Sequence, residues 1–310
     1  MKICIIGPGI MEIPPSGWGA VEILIWDYKQ TLEKFGHEVL IINTNNQNSI
    51  IQQCNNYNPD FVHVQYDEHW MVCDHLNCKN KAITSHFGYL ERPELYGGYQ
   101  SILNGFMSLR DTKIFALSQG IANIYAKHGL DQSRIFVVPN GVRTDLFKFN
   151  DECLMPDKSI YLAKITIRKR QHLAMNVPGV DFIGNNDYSI PRLIPQKAEW
   201  DKETLYQNLT NYANLVLLSD GEAHPLVCLE ALSAGLGLVL SEYAAANLDK
   251  SLPFINIIPE SLINNEEFVK YTIKENRKVS ILMRKEIREY AEIFSWEKII
   301  SERYLPCVLQ

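Results

Sequence analysis

Short apolar runs rich in β-branched residues recur from the first residues onward and alternate with segments of helical spacing, and this alternation limits the fold more than any other feature. The first series comprises Lys2–Ile6, Val39–Ile42, Phe61–Gln65, Ala82–Ser85, Ile114–Ser118 and Ile135–Val138. Most of these runs are continuous rather than alternating, the pattern of strands buried on both faces of a parallel sheet. Between the first two, Ala20 to Phe35 has helical spacing, with Val21, Ile25, Tyr28, Leu32 and Phe35 on one side and Gly36 closing the C-terminus. A β–α alternation of this kind predicts a doubly wound α/β domain.

A second series follows at Ser159–Ala163, Asp181–Gly184, Leu215–Ser219, Leu238–Ser241 and Phe254–Ile258. The turn Pro139-Asn140-Gly141-Val142 and the polar stretch Lys148–Ser159 separate the two series, so the boundary is expected at residues 147/148. This predicts domains over residues 1–147 and 148–294, with a terminal helical segment, 295–310, packing back toward the first domain. Two such domains in series are expected to face a central cleft at the C-terminal strand ends, where open α/β sheets bind ligands.

The 310 residues carry a net charge of -6, so non-specific attraction to nucleic acid is not expected, and an anionic ligand would need locally gathered cations. No apolar run reaches the length of a membrane span. Met1 to Gly7 reads as a first strand rather than a secretory signal. Seven scattered cysteines fit reduced thiols in a cytoplasmic protein. His69, Cys73, His75 and Cys78 are metal-ligating types, but their spacing matches no standard zinc finger, and a partly buried helix is the plainer reading. The Asn- and Gln-rich stretch Asn43–Asn58 reads as a surface helix with loops.

Three loops at strand ends carry candidate chemistry. In Pro14-Pro15-Ser16-Gly17-Trp18-Gly19-Ala20-Val21-Glu22, Gly17 and Gly19 let backbone approach a ligand, and amides at the following helix N-terminus attract anions; a flexible turn capped by Ser16 is the alternative. The dinucleotide fingerprint is not met, because Gly7-Pro8-Gly9-Ile10-Met11-Glu12 lacks its third glycine. In Ala163 to His172, four cations (Lys164, Arg168, Lys169 and Arg170) fall within seven residues after a buried strand, placing Lys164 and Lys169 to meet one diphosphate. In Asp220 to Ala231, Pro225 suits a first helical position and Gly235 the C-terminal cap of an apolar, buried helix. Glu230 is then a carboxylate on a buried helix, requiring a Lys, an Arg or ligand hydroxyls as partner, and Glu222 lies at the strand end within reach of the same ligand.

Taken in order, these segments resemble the retaining glycosyltransferases of family four, also called group 1, on the GT-B fold. Glu222 and Glu230 resemble the family's two glutamates separated by seven residues, and Ala163-Lys164 with Lys169-Arg170 its Gly-Arg-x4-Lys-Gly segment. Gly19-Ala20-Val21-Glu22 resembles its Gly-Gly-x-Glu loop, Pro139–Val142 its Pro-Asn-Gly-Val turn, Phe294-Ser295-Trp296 its tail, and His86 its histidine after the fourth strand. Lys164 stands where the family has Arg, Pro225 near a family glycine, and Arg143 in place of an acidic residue. The resemblance implies two Rossmann-like domains, the N-terminal one on the acceptor side and the C-terminal one binding a UDP- or GDP-sugar. It implies that Lys164 and Lys169, with amides near Gly17 and Gly19, neutralise the diphosphate leaving group; that Glu230 holds the ribose and Glu222 the sugar; and that His86 binds a sugar hydroxyl or orients the acceptor. Catalysis then falls to His86, Lys164, Lys169 and Glu222, and donor contacts also to Arg168, His224, Leu226 and Val227. Retention of configuration, no metal and no cofactor beyond the donor co-substrate are implied as well.

Rival readings are a nucleotide-sugar epimerase or a phosphorylase with a pyridoxal cofactor on the same fold, an NAD-dependent dehydrogenase, and a non-catalytic sugar-binding protein. The acceptor stays open between glycan, lipid-linked and protein-linked hydroxyls. The tail helix around Val279, Leu282, Met283 and Ile287 carries Lys and Arg, which admits peripheral membrane association, with packing against its own domain as the alternative.

Overall fold

The protein is described by a computed structural model over residues 1–17, 19–90, 92, 95–185 and 194–310. Trp18, named in the first glycine loop, lies outside the described residues. The chain forms two compact units: Met1–Gly141 with Trp296–Gln310, and Val142–Ser295.

The first unit is built on six parallel strands: β1 (Lys2–Gly7), β2 (Glu38–Asn43), β3 (Phe61–Val64), β4 (Lys81–Thr84), β5 (Lys113–Ala116) and β6 (Ile135–Val137), in the order β2-β1-β3-β4-β5-β6. Every side chain of β3 and β4 is buried, as continuous apolar runs require when both sheet faces are covered. Helix α1 (Ala20–Lys34) lays Leu24, Ile25, Tyr28, Thr31 and Leu32 against the core. Phe35, expected on that face, is instead the C-cap and 42% exposed, because the chain leaves the helix there through Gly36 at φ 81°. Helix α2 (Gln47–Tyr57) is capped by Asn46, whose side chain accepts from the Ser49 amide at 3.0 Å. The segment Asp67–His75 is a partly buried helix, as expected, of the 3₁₀ type; it buries Asp67, His69, Val72 and Cys73. Helix α3 (Tyr99–Ser108) precedes β5, and helix α4 (Gln119–Lys127) follows it, capped by Ser118.

The second unit holds β7 (Met155–Leu162), β8 (Val180–Ile183), β9 (Gln196–Ala198), β10 (Tyr212–Leu217), β11 (Gly237–Ser241) and β12 (Ile255–Ile258). Their order, β12-β11-β10-β7-β8-β9, is all parallel and reverses between β7 and β10. Strand β9 has no apolar run to announce it: Gln196 and Lys197 are exposed, and as an edge strand it pairs with β8 alone. Helix α5 (Lys202–Asn208) leads to β10, α6 (Leu226–Ser233) connects β10 to β11, and α7 (Glu266–Leu282) and α8 (Arg284–Ala291) follow β12. Ile287 is buried in the core of this unit, with Val279 and Met283 packed against it, while Leu282 is 81% exposed.

The boundary falls at Gly141/Val142, earlier than the expected 147/148. The reason is local: the Val142 amide donates to Phe294 O at 2.9 Å and Val142 bridges Ser295, tying residues 142–147 to the second unit. In the first unit, a Cβ added at Gly141 would lie 2.5 Å from the Trp296 ring, so glycine is required there. Trp296 is fully buried, packs on Tyr28 with ring centroids 4.5 Å apart, and donates from Nε1 to Asp27 at 3.0 Å.

Candidate functional site

Where strand order reverses, the two loops leaving adjacent strands diverge and leave their backbone and side chains open to a ligand. In the second unit those loops follow β7 and β10. The first runs through two 3₁₀ turns, Ile167–Lys169 and Gln171–Ala174. Arg170 joins them in the left-handed region at φ 50°.

The two loops are stitched together. The Asp220 amide donates to Arg168 O at 3.0 Å, and the Arg168 guanidinium donates to Gly221 O. Tyr161, buried on β7, donates its hydroxyl to Lys169 O and accepts from the Leu218 amide at 2.8 Å. Lys169 Nζ donates to Glu222 Oε1, and Arg168 Nη1 lies 3.5 Å from the same oxygen. Burial pushes the Glu222 carboxyl up, but the Lys169 ammonium and the Arg168 guanidinium outweigh it and hold the group below the usual carboxylate range. Arg170 is drawn aside by Glu260 at 2.9 Å and Asp220 at 3.9 Å. Lys164 is exposed at the end of β7, and its carbonyl accepts from Gln171 Nε2 at 2.9 Å.

Pro225 is the N-cap of α6 rather than its first residue. On that helix Cys228, Leu229, Ala231, Leu232 and Ser233 are buried, whereas Leu226, Val227 and Glu230 are only partly so. The helix is therefore open along one stripe, and Glu230 lies on that stripe instead of in the interior. Its partner is Lys202 at 2.8 Å. His224 is buried against Phe294, ring centroids 5.9 Å apart, and burial pushes its imidazole down to about 3.

In the first unit, Gly19 serves as the N-cap of α1 at φ 141°, and no side chain caps that helix, Ser16 included. A Cβ at Gly19 would meet Glu22 Oε2 at 3.0 Å, whereas one at Gly17 would meet nothing within 4 Å. Gly19 is thus fixed by the backbone, and Gly17 borders open space. His86 lies two residues beyond β4, half-buried, with Nε2 donating to Gln65 Oε1 at 2.8 Å. Burial pushes its imidazole down to about 4. Gln65 and its strand neighbour His63 have no counterpart in the sequence-based reading; a His-x-Gln pair closing an otherwise apolar strand is the signal that points to them. Tyr161, Lys202 and Glu260 carry no such signal, because their partners are distant in sequence. Among the described residues no group of three His, Cys, Asp or Glu side chains is placed to hold a metal ion.

The family model described as Glycosyltransferase Family 4 matches residues 37–146. No curated protein matches the chain. Among solved structures, sucrose-phosphate synthase from Thermosynechococcus elongatus superposes with a TM-score of 0.76 at 14% identity, covering 96% of each chain. The Anabaena protein HepE, solved with UDP and glucose, gives 0.72 at 13% identity over 96% of this chain and 97% of its own. The lipopolysaccharide outer core galactosyltransferase WaaB gives 0.68 at 17% identity over 100% and 99%. The resemblance to family four is borne out over the matched segment, and the two Rossmann-like units have the GT-B fold.

Proposed function

We propose that this chain, which matches the family-four model over residues 37–146, is a glycosyltransferase that moves a sugar from a nucleoside diphosphate donor to a hydroxyl acceptor with retention of configuration. The observation that carries the proposal is the Lys169–Arg168–Glu222 cluster at the reversal point of the second sheet. It supplies fixed cations at the strand ends where this fold class takes its ligands.

Breaking the anomeric carbon–oxygen bond puts negative charge on the diphosphate. Cations held in place before the reaction stabilise that charge without reorganising, and they do so more in the transition state than in the ground state. Lys169 and the exposed Lys164 take this role, with Arg168 beside them. Glu230, on the open stripe of α6, takes the ribose hydroxyls together with Leu226 and Val227; Glu222 takes the sugar. The uncapped amides after Gly19, at the N-terminus of α1, offer further donors to an anion. His86 accepts from a sugar or acceptor hydroxyl. The diphosphate oxygen then receives the acceptor proton on the face it leaves, so the reaction proceeds without a metal ion.

HepE was solved with UDP, which puts UDP-sugars first in a donor panel. Thermal shifts with UDP-, GDP- and ADP-sugars identify the base, since a ligand bound only by the native state raises its stability. Transfer to a hydroxyl acceptor is then followed by proton NMR of the new anomeric centre, with and without EDTA. Retention and full activity in EDTA are expected. An inverted product, or activity abolished by EDTA and restored by manganese, overturns the mechanism; donor epimerisation without transfer overturns the reaction class.

A further inference from the structure

Strands β3 and β4 carry a hydrogen-bonded row of polar side chains through an apolar sheet. His63 and Gln65 are two residues apart and so share a face; Thr84, one step beyond the pairs His63↔Ala82 and Val64↔Ile83, shares it too. The row runs Thr84 Oγ1 to His63 Nε2 at 2.8 Å, His63 Nδ1 to Gln65 Nε2 at 3.1 Å, and Gln65 Oε1 to His86 Nε2 at 2.8 Å. His63 and Gln65 are 0% and 1% exposed, and His63 is enclosed by the Tyr28, Phe115 and Tyr304 rings. A row of this kind has to satisfy each of its members, because an unpaired polar group is costly at this depth.

The row has a direction. The amide nitrogen of Gln65 can only donate, so His63 Nδ1 accepts and the His63 proton resides on Nε2, where it donates to Thr84. The amide oxygen can only accept, so His86 carries its proton on Nε2. A neutral imidazole holds one proton, and burial keeps His86 neutral, with its value pushed down to about 4. Its Nδ1 is therefore a bare lone pair, and among the described residues that atom makes no hydrogen bond.

We propose that Gln65 is a positioning residue: through the His63–Gln65–His86 row it fixes His86 in the Nε2–H tautomer and presents Nδ1 as an acceptor, so that the group His86 meets must be an O–H or N–H donor and not an oxyanion. This rests on His86 contacting substrate in the transfer reaction above. An anionic oxygen facing Nδ1 would place two acceptors together, at the cost of an unmade hydrogen bond for each. The first unit thereby selects a hydroxyl at this position by its tautomer, with no charge involved.

Among the described residues, the titratable groups around His86 include His63 on β3, Asp67, which accepts from the hydroxyl of the preceding residue Ser85 at 2.7 Å, and Tyr99 on α3, whose hydroxyl meets the same Ser85 oxygen. Long-range proton–nitrogen NMR of histidine-labelled protein reads the tautomer directly. The wild type should show His86 protonated on Nε2 at neutral pH. In Gln65→Leu the acceptor is lost; the Nε2–H population should fall and kcat should drop by about tenfold or more, as expected when a contact group is misplaced. Calorimetric affinity for the nucleoside diphosphate should be unchanged. In Gln65→Glu, nearly isosteric and therefore the safer variant to fold, the carboxylate should raise the His86 titration by roughly 1–3 units and carry the acid limb of the rate profile with it.

A wild-type proton on Nδ1, or a Gln65→Leu variant with unchanged tautomer and kcat, overturns the proposal. So does a Gln65→Glu variant whose His86 titrates as in the wild type. A wild-type chain with the expected tautomer that transfers no sugar from any donor refutes the transfer reading and leaves the positioning role of Gln65 intact.

Discussion

The two sheets share six parallel strands and one reversal of strand order each, yet their strand ends carry opposite chemistry. In the second unit the loops after β7 and β10 gather charge: Lys169 and Arg168 on Glu222, Arg170 on Glu260. In the first unit the ends of β3 and β4 gather neutral donors and acceptors, with burial pushing His63 to about 3 and His86 to about 4. A charged cluster held by fixed partners suits a ligand whose own charge grows during reaction. A neutral row suits groups that are told apart by donor and acceptor pattern. The backbone architecture is common to both; the ligand chemistry is set by the few side chains that follow the strands.

The sharpest test of this contrast removes one charge. Lys169→Ala should lower turnover by roughly a hundredfold or more, the scale of losing one transition-state donor, and should leave Glu222 buried without its closest cation. The loss should appear in kcat measured at saturating donor. If steady-state kinetics stay within about threefold of wild type, the charged cluster is structural and the comparison between the units fails.

A pH series tests what the two units have in common, a buried imidazole in each. His63 in the first unit and His224 in the second are both held at about 3, against an unfolded value of about 6.5. The unfolded chain therefore binds more protons below pH 6.5, and stability falls with pH from there down toward the folded-state values. Above pH 6.5 neither group contributes. Each removes up to about 1.4 kcal/mol per pH unit in that window. The depressed Glu222 carboxyl acts in the same direction but only at lower pH, through the carboxylate range. Denaturant unfolding should thus be flat between pH 7.5 and 6.5 and weaken clearly by pH 5.5. A flat profile down to pH 5 would show that the imidazoles are not held neutral by burial.

The smallest expected effect concerns the tie between the charged loops. Tyr161→Phe removes the hydroxyl that joins Lys169 O to the Leu218 amide, leaving that amide unsatisfied at a cost of about 1–3 kcal/mol. Denaturation measures the loss, and turnover should fall less than in Lys169→Ala. An equal fall in both variants would mean that loop placement, not the Lys169 charge, sets the rate.

The sequence by itself determined the parallel α/β architecture, because strands buried on both faces are written as largely apolar runs, and such a run marks eleven of the twelve strands. It marked β9 with nothing, since an edge strand paired on one side tolerates Gln196 and Lys197. It placed Lys164, Glu222 and His86 at strand ends from their positions, and it singled out Pro139–Val142 and Phe294–Trp296 as separate motifs. Only the tertiary structure decided that those motifs meet, at Val142 on Phe294 and Gly141 against Trp296, and so where one unit gives way to the other. Only it paired Glu230 with Lys202, drew Arg170 away to Glu260, and set Gln65 between two histidines. Periodicity and strand ends are local properties that the order of residues records directly. The partner of a charge or an amide is chosen by packing between segments far apart in the chain, and no local pattern carries that choice.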